Sequence, residues 1–221
     1  STYWPEINRI LAKYDILMIA DEVICGFGRT GEWFGSQHFG ITPDFMPIAK
    51  GMTSGYIPMG GVIVSDRVAK VFEEKGGDFN HGYTYSGHPV SAAVALENLR
   101  VMKEKNLIQY VKEDIGPYLQ QQWQTLADHP LVGEARGLGL VAAIELVKDK
   151  ATRTRFDESV GIGGICRDLS VENGLVMRAC GDTMIISPPL VISHLEVDEL
   201  IEKARLALDL TFEHLQDLGA V

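Results

Sequence analysis

Two short apolar runs, each ending on a charged side chain, constrain this chain more than any other feature. Residues 16–20 (ILMIA) lead to Asp21, and residues 45–49 (FMPIA) lead to Lys50. Runs of this length read as buried strands, and their charged ends then emerge together at the carboxyl edge of a sheet, where open α/β folds bind ligands. The neighbours Gly51, Ser54, Gly55, Gly60 and Gly61 carry little bulk, which permits unusual backbone angles and leaves room for a planar ring near the main chain.

A lysine in that position gains a specific chemistry. Its reference pKa is about 10.4, so the free amine is protonated and a poor nucleophile; burial disfavours the charged form and frees the lone pair. Such a lysine can form a Schiff base with an aldehyde. Asp21 then has a complementary task, because a buried carboxylate facing a pyridine nitrogen keeps it protonated, and the cationic ring absorbs the electrons of a substrate carbanion. Val23 shares the face of Asp21 if the strand continues, and is placed to pack flat on the ring. Each fragment alone has a second reading. An apolar run ending in Asp-Glu is also the metal-binding strand of P-loop ATPases, although these 221 residues contain no GxxxxGK[ST] phosphate cradle. Lys50 taken alone reads as a solvated lysine. The joint pattern points to a covalently held aldehyde cofactor.

Composition excludes other classes. A formal net charge of −10 without a basic stripe argues against nonspecific nucleic-acid binding, which needs clustered cations. No apolar run approaches the roughly 18 residues of a membrane helix, and the first residues lack a charged start and signal-like core, so a cytoplasmic protein without membrane partners is expected. Cys25, Cys166 and Cys180 are odd in number and lack CxxC spacing, which reads as reduced packing thiols. His38, His81, His88, His129, His194 and His214 form no HExxH or i, i+4 pair, so no metal site is expected. His81 and His88 flank residues 83–84 and read as hydrogen-bonding groups of that loop. The glycine clusters at 161–164 and 133–139 are not dinucleotide fingerprints, since the first follows no strand and the second opens one.

Periodicity predicts helices over 5–13, 66–72 (capped by Asp66), 89–105, 160–173 and 196–215, and strands over 16–20, 45–48, 61–64, 139–147, 175–177 and 184–187. Residues 26–40 and 76–87 read as loops. Gly116-Pro117 restarts a helix that ends near 127–130. A chain of this length holds one or two domains.

The motifs DEVICGFGRTG from Asp21, PDFMPIAKGMTSGYIPMGG from Pro43, HGYTYSGHP from His81, MRACGD from Met177 and SPPLV from Ser187 resemble those of the class III (omega) pyridoxal-phosphate-dependent aminotransferases. The resemblance covers essentially the whole chain. It implies fold type I, an α/β architecture, with residues 1–115 as the end of the large cofactor-binding domain and residues 116–221 as an α+β small carboxyl-terminal domain. The family runs to roughly twice this length, so the resemblance implies a carboxyl-terminal half. Relatives supply the first phosphate-binding turn and the aromatic residue on the other ring face from the preceding half. Carried over by position, Lys50 is the lysine that binds pyridoxal 5′-phosphate, Asp21 the partner of the ring nitrogen, and Val23 the residue stacked on the ring. Thr84 reaches the cofactor phosphate of a neighbouring subunit with Tyr83 beside it, which implies a homodimer with shared active sites. Arg178 resembles the mobile arginine that pairs with a substrate carboxylate. The stretches WPEINRILAKYDIL, ADHPLVGEARG and GDTMIISPPLV are similar to the branch that transfers an amino group from putrescine or polyamines to pyruvate. An aminomutase of the same fold and a catalytically silent fragment or interaction module remain the alternatives.

Overall fold

A computed structural model describes residues 2–76 and 78–219; Gly77, inside the turn-rich stretch 76–87, lies outside the described residues. The chain divides into two compact units, one ending at Gln109 and the other starting at Tyr110.

The first unit opens with α1 (Tyr3–Tyr14), which stops where Asp15 turns left-handed at φ 54 and returns its N–H to Leu11. Residues 16–20 then run extended. They are not buried as the sequence predicts: Ile16, Leu17 and Ile19 are exposed, and only Met18 is buried. The cause lies in their pairing, which is one-sided. Ile19 bridges Phe45 in parallel, while Ala20 and Glu22 donate N–H groups to the carbonyls of Phe45 and Pro47, each at 3.0 Å. Among the described residues no strand covers the other edge. After a short helix missed by the sequence reading, α2 (Gly35–Phe39), β1 (Phe45–Ile48) pairs antiparallel with β2 (Gly61–Val64), Phe45 opposite Val64. Asp44 ties these segments, accepting the Met18 N–H at 2.9 Å and the Ser65 hydroxyl at 3.1 Å. Helix α3 (Asp66–Lys75) follows Ser65 as its cap, so Asp66 occupies the first turn instead of the cap. Helix α4 (Pro89–Glu104) is capped by the His88 side chain, which accepts the Val90 N–H at 3.2 Å. A short α5 (Leu107–Tyr110) runs across the division.

In the second unit a π turn, Val111–Ile115, precedes α6 (Gly116–Gln124). The restart needs Gly116, because a Cβ there would lie 2.2 Å from the Val111 carbonyl oxygen. Next come β3 (Val132–Leu138), β4 (Val141–Leu146), α7 (Ile162–Glu172), β5 (Arg178–Cys180), β6 (Thr183–Ile186) and α8 (His194–Asp217). The sheet is antiparallel, in the order β3-β4-β6-β5. Sequence patterning predicts one strand over 139–147; it is the second arm of a hairpin whose first arm, β3, carries Glu134 and Arg136 and lacks an apolar run. β5 starts later than the predicted 175–177, since Leu175 returns its N–H to Ser170 at 2.9 Å to close the end of α7. Helix α8 starts at a capping box in which Ser193 and Glu196 satisfy each other's backbone donors, two residues ahead of the predicted start.

This unit has its own core. Ala142, Ile144 and Leu146 alternate inward along β4 and pack with Leu119, Trp123, Val197, Ala204 and Leu208 in one cluster, the pattern of a sheet with one covered face. Burying each large apolar side chain contributes about 1.5–3 kcal/mol. Trp123 also donates its indole N–H to Ala143 at 3.0 Å, joining α6 to β4.

Candidate active site

β1 ends at Ile48, and Lys50 begins a single 3₁₀ turn, Lys50–Met52. Lys50 has φ 38 and Ser54 φ 48. Left-handed angles at non-glycine residues cost of order 1–3 kcal/mol each and need surrounding restraint. One restraint is the loop after Asp21: a Cβ on Gly51 would come within 3.0 Å of the Phe27 Cβ and 3.3 Å of the Gly26 carbonyl. The other is Asn98 on α4, whose amide donates to the carbonyls of Gly51 and Met52.

Lys50 lines a cavity of about 670 Å³ whose walls include Gly55, Gly60, Tyr83, Tyr85, Ser86, His88 and Ser91, a volume within the usual range for small-molecule sites. Glycine and serine at the walls leave space beside the amine, and two tyrosines offer flat apolar surface. Lys50 is exposed to the cavity instead of buried, because it stands beyond the end of β1 on an open wall. Tyr83 shares this cavity; Thr84, next to it, is exposed and outside the lining. Both belong to a turn in which Ser86 donates its N–H to the Tyr83 carbonyl at 2.9 Å and its hydroxyl accepts the Tyr83 N–H at 3.0 Å. His88 holds the start of α4, and the His81 ring stands 6.0 Å from that of Tyr83.

Asp21 and Val23 lie on the segment beside β1. The parallel register, Ile19 with Phe45 followed by the Glu22 bond to Pro47, sets Asp21 opposite Pro47, three residues before Lys50. Asp21 is exposed, unlike the buried carboxylate that the sequence predicts, since its segment is paired on one side only. The strand also does not continue through Val23. Asp21 Oδ1 accepts the Val23 N–H at 2.9 Å, and the chain turns there, so strand alternation does not set the direction of Val23. Neither residue lines the Lys50 cavity.

The carboxylate that is buried is the next one, Glu22, and sequence reasoning missed it. It is 2% exposed and accepts the N–H groups of Gly35 at 2.9 Å and Ser36 at 2.6 Å. It thus closes residues 22–36 into the loop that packs Phe27 on Gly51. The available signal was the Asp-Glu pair itself, where one acid ends the strand and its neighbour points to the other face. Asn98 was also missed; its signal was a polar residue of low helix propensity amid the aliphatic turns of α4. Cys25 fits the packing role that the sequence predicts: burial, then the charges of Glu22 and Asp21, push its thiol pKa up. Burial likewise pushes the Cys166 thiol up to about 11.

Arg178 belongs to the second unit. It sits exposed on the edge strand β5 and lines a cavity of about 490 Å³ with Leu175, Val176, Ile185, Pro189, Ile192, Glu196, Glu199 and Lys203. Lys203 pairs with Glu199 at 2.6 Å and Glu196 is engaged in the cap of α8. Among the described residues no carboxylate forms an ion pair with Arg178. Among the described residues no group of three His, Cys, Asp or Glu is arranged to hold a metal ion, and no helix is long and apolar enough to cross a membrane.

Comparison with known proteins extends this picture. A putrescine–pyruvate aminotransferase of Pseudomonas aeruginosa is 67% identical over 210 residues, covering 95% of this chain and 46% of that protein. A solved structure from work on directed evolution of transaminases by ancestral reconstruction superposes with a TM-score of 0.93 at 49% identity, covering 97% of this chain and 48% of the other. An (S)-enantioselective omega-transaminase from Thermomicrobium roseum superposes with a TM-score of 0.89 at 44% identity, covering 95% and 46%. The chain therefore spans about half the length of the relatives it matches, and its architecture is the α/β fold type I of these transaminases. The family model for class-III aminotransferases matches residues 1–208, and the chain belongs to that family.

Proposed function

We propose that this chain forms part of a pyridoxal 5′-phosphate-dependent transaminase that moves an amino group from a putrescine-like diamine or other omega-amine to pyruvate. The observation that carries the reading is Lys50, a lysine in a restrained left-handed turn at the end of β1, on the wall of a cavity lined by small residues. Family membership and the 67% identity to a putrescine–pyruvate aminotransferase support the choice of reaction and donor. Bound at this site, the cofactor would supply an aldehyde to hold the amine and a cationic ring to draw electrons from the neighbouring carbon.

In this reading Lys50 Nζ is the group that would hold the cofactor through its aldehyde. Freed from it, the same amine would be placed to take and return a proton at the amine-bearing carbon of the donor. Asp21 would be the carboxylate that keeps the ring nitrogen protonated, Val23 an apolar contact of the ring, and Tyr83 a group beside the cofactor. Thr84, exposed on its turn, would donate its hydroxyl to the phosphate held by a partner subunit in a homodimer. Arg178 pairs with the carboxylate of the keto acid. Residues 1–115 serve as the end of the cofactor-binding domain and residues 116–221 as the small domain, in a cytoplasmic enzyme.

Borohydride reduction of the intact, cofactor-loaded enzyme followed by peptide mapping tests the assignment. The pyridoxyl group is expected on Lys50; its recovery on Lys13, Lys70 or another lysine rejects the site. In the same preparation Asp21→Asn is expected to retain cofactor and lose most of the proton-transfer rate, and near-normal turnover rejects that role. Stoichiometric consumption of pyruvate separates transamination from an aminomutase reaction.

A further inference from the structure

Resting on the reading of Lys50 as the cofactor-bearing amine, we propose that Asn98 is the positioning residue that holds Lys50 in its left-handed turn. The turn starts at Lys50 with φ 38 and ends at Ser54 with φ 48, angles that non-glycine residues keep only where neighbouring groups over-determine them. Asn98 supplies that restraint with its whole side chain. Its Nδ2 donates to the carbonyl oxygens of Gly51 at 2.9 Å and Met52 at 3.1 Å, and its Oδ1 accepts from the Ser54 hydroxyl at 2.7 Å. All three bonds fall on the four residues that follow Lys50. The turn also runs close to Phe27, where a Cβ on Gly51 would stand 3.0 Å from the Phe27 Cβ.

The geometry ties α4 to the direction of the Lys50 side chain. The φ angle of Lys50 sets where its Cα–Cβ bond points; relaxation to an ordinary right-handed or extended angle would swing the amine away from its present place on the cavity wall. An asparagine within a helix lowers helix stability relative to alanine or leucine, and its bonds to the turn account for its presence on this face of α4. An aspartate of the same shape has no amide donors and would set a carboxylate against two carbonyl oxygens.

The test uses the intact enzyme stripped of cofactor and mixed with pyridoxal 5′-phosphate. Borohydride trapping at timed intervals, with mass spectrometry of the peptide containing Lys50, gives the rate at which this amine captures the aldehyde. Asn98→Asp and Asn98→Ala both remove the donors, and alanine raises the helix propensity of α4, so this variant keeps the test available if Asn98→Asp fails to fold. Each is expected to slow capture roughly tenfold, and to lower turnover per cofactor-loaded site by a similar factor with the KM for the amine unchanged. Ser54→Ala keeps both carbonyl bonds and loses only the hydroxyl bond, so it is expected to slow either rate less than the Asn98 variants do. Pyridoxylation of the wild-type enzyme at a lysine other than Lys50 removes the functional reading and this role with it. Labelling at Lys50 with unchanged capture in Asn98→Ala overturns the positioning role alone, even if thermal stability falls.

Discussion

Replacing Glu22 with glutamine isolates the contribution of one buried carboxylate to the geometry around Lys50. The side chain is 2% exposed and accepts two backbone N–H groups, from Gly35 at 2.9 Å and Ser36 at 2.6 Å. Glutamine has nearly the same shape, but only its carbonyl oxygen accepts. Its NH₂ group must face the second backbone donor, which is left buried and unsatisfied. A hydrogen bond to a charged group contributes about 1.5–3 kcal/mol and a stranded buried donor costs about 1–3 kcal/mol. The neutral amide avoids the desolvation cost of the carboxylate, which offsets part of this loss. A net cost of about 2–4 kcal/mol for opening residues 22–36 follows, equivalent to a roughly 30- to 1000-fold change in the local opening equilibrium. Amide hydrogen exchange reads that equilibrium directly. The Gly35 and Ser36 amides should lose protection by such a factor in Glu22→Gln, and the Met52 amide, bonded to Ala49 at 2.9 Å, should exchange faster as Phe27 loosens on Gly51. Amides of β4, with no bond to this loop, serve as the control. Protection of Gly35 and Ser36 within about threefold of wild type would refute the closure of the loop by Glu22.

Gly163 and Gly164 make a paired contrast on α7: a Cβ on Gly163 would stand 1.9 Å from the Gly181 carbonyl oxygen, whereas one on Gly164 meets nothing within 4 Å. Gly163→Ala should therefore destabilise the fold by about 2–4 kcal/mol while Gly164→Ala is neutral or stabilising by up to about 1 kcal/mol; denaturant titration decides, and equal effects would reject the close approach. His129 accepts the Leu131 N–H on Nδ1 at 3.2 Å and sets Nε2 3.3 Å from Asp209, and burial, the largest influence, holds its pKa below the ordinary value despite Asp209. Its neutral form is the one the fold favours, so this stability is fully present above the unfolded value near 6.5 and is lost as pH falls through and below it. Unfolding midpoints between pH 7 and pH 5 should drop more steeply for wild type than for His129→Gln, and parallel curves would dismiss the linkage. For Arg178→Ala, steady-state kinetics on the intact enzyme should show a strong loss of apparent affinity for pyruvate with little change in the amine half-reaction, since a bidentate arginine–carboxylate pair is lost only with the keto acid; equal losses in both half-reactions, or none, would remove Arg178 from the substrate site.

Local chemistry made several elements readable from sequence. β1 and β2 fall where their apolar runs and flanking glycines place them, because strand length and turn residues are encoded within a few positions. Helix α4 begins at Pro89 for the same reason: proline suits the first helical turn. Irregular or polar elements were less legible. β3 carries glycine and charged residues and becomes a strand through its ladder with β4, while α2 is a five-residue helix whose first backbone donors are satisfied by Glu22, more than ten residues earlier.

The sequence by itself marked Lys50 and Asp21 at the ends of apolar runs and Arg178 within the MRACGD motif, and it determined the family through motifs spaced along the whole chain. Tertiary structure alone decided their surroundings. It left Lys50 and Asp21 exposed, buried Glu22 instead, and fastened the turn after Lys50 to an asparagine on α4. The physical reason is range. Strand ends, caps and turns follow from neighbours a few residues apart, but burial and hydrogen-bond partnership depend on what the folded chain brings alongside, and a 44-residue separation between Ser54 and Asn98 leaves no local trace for periodicity to reveal.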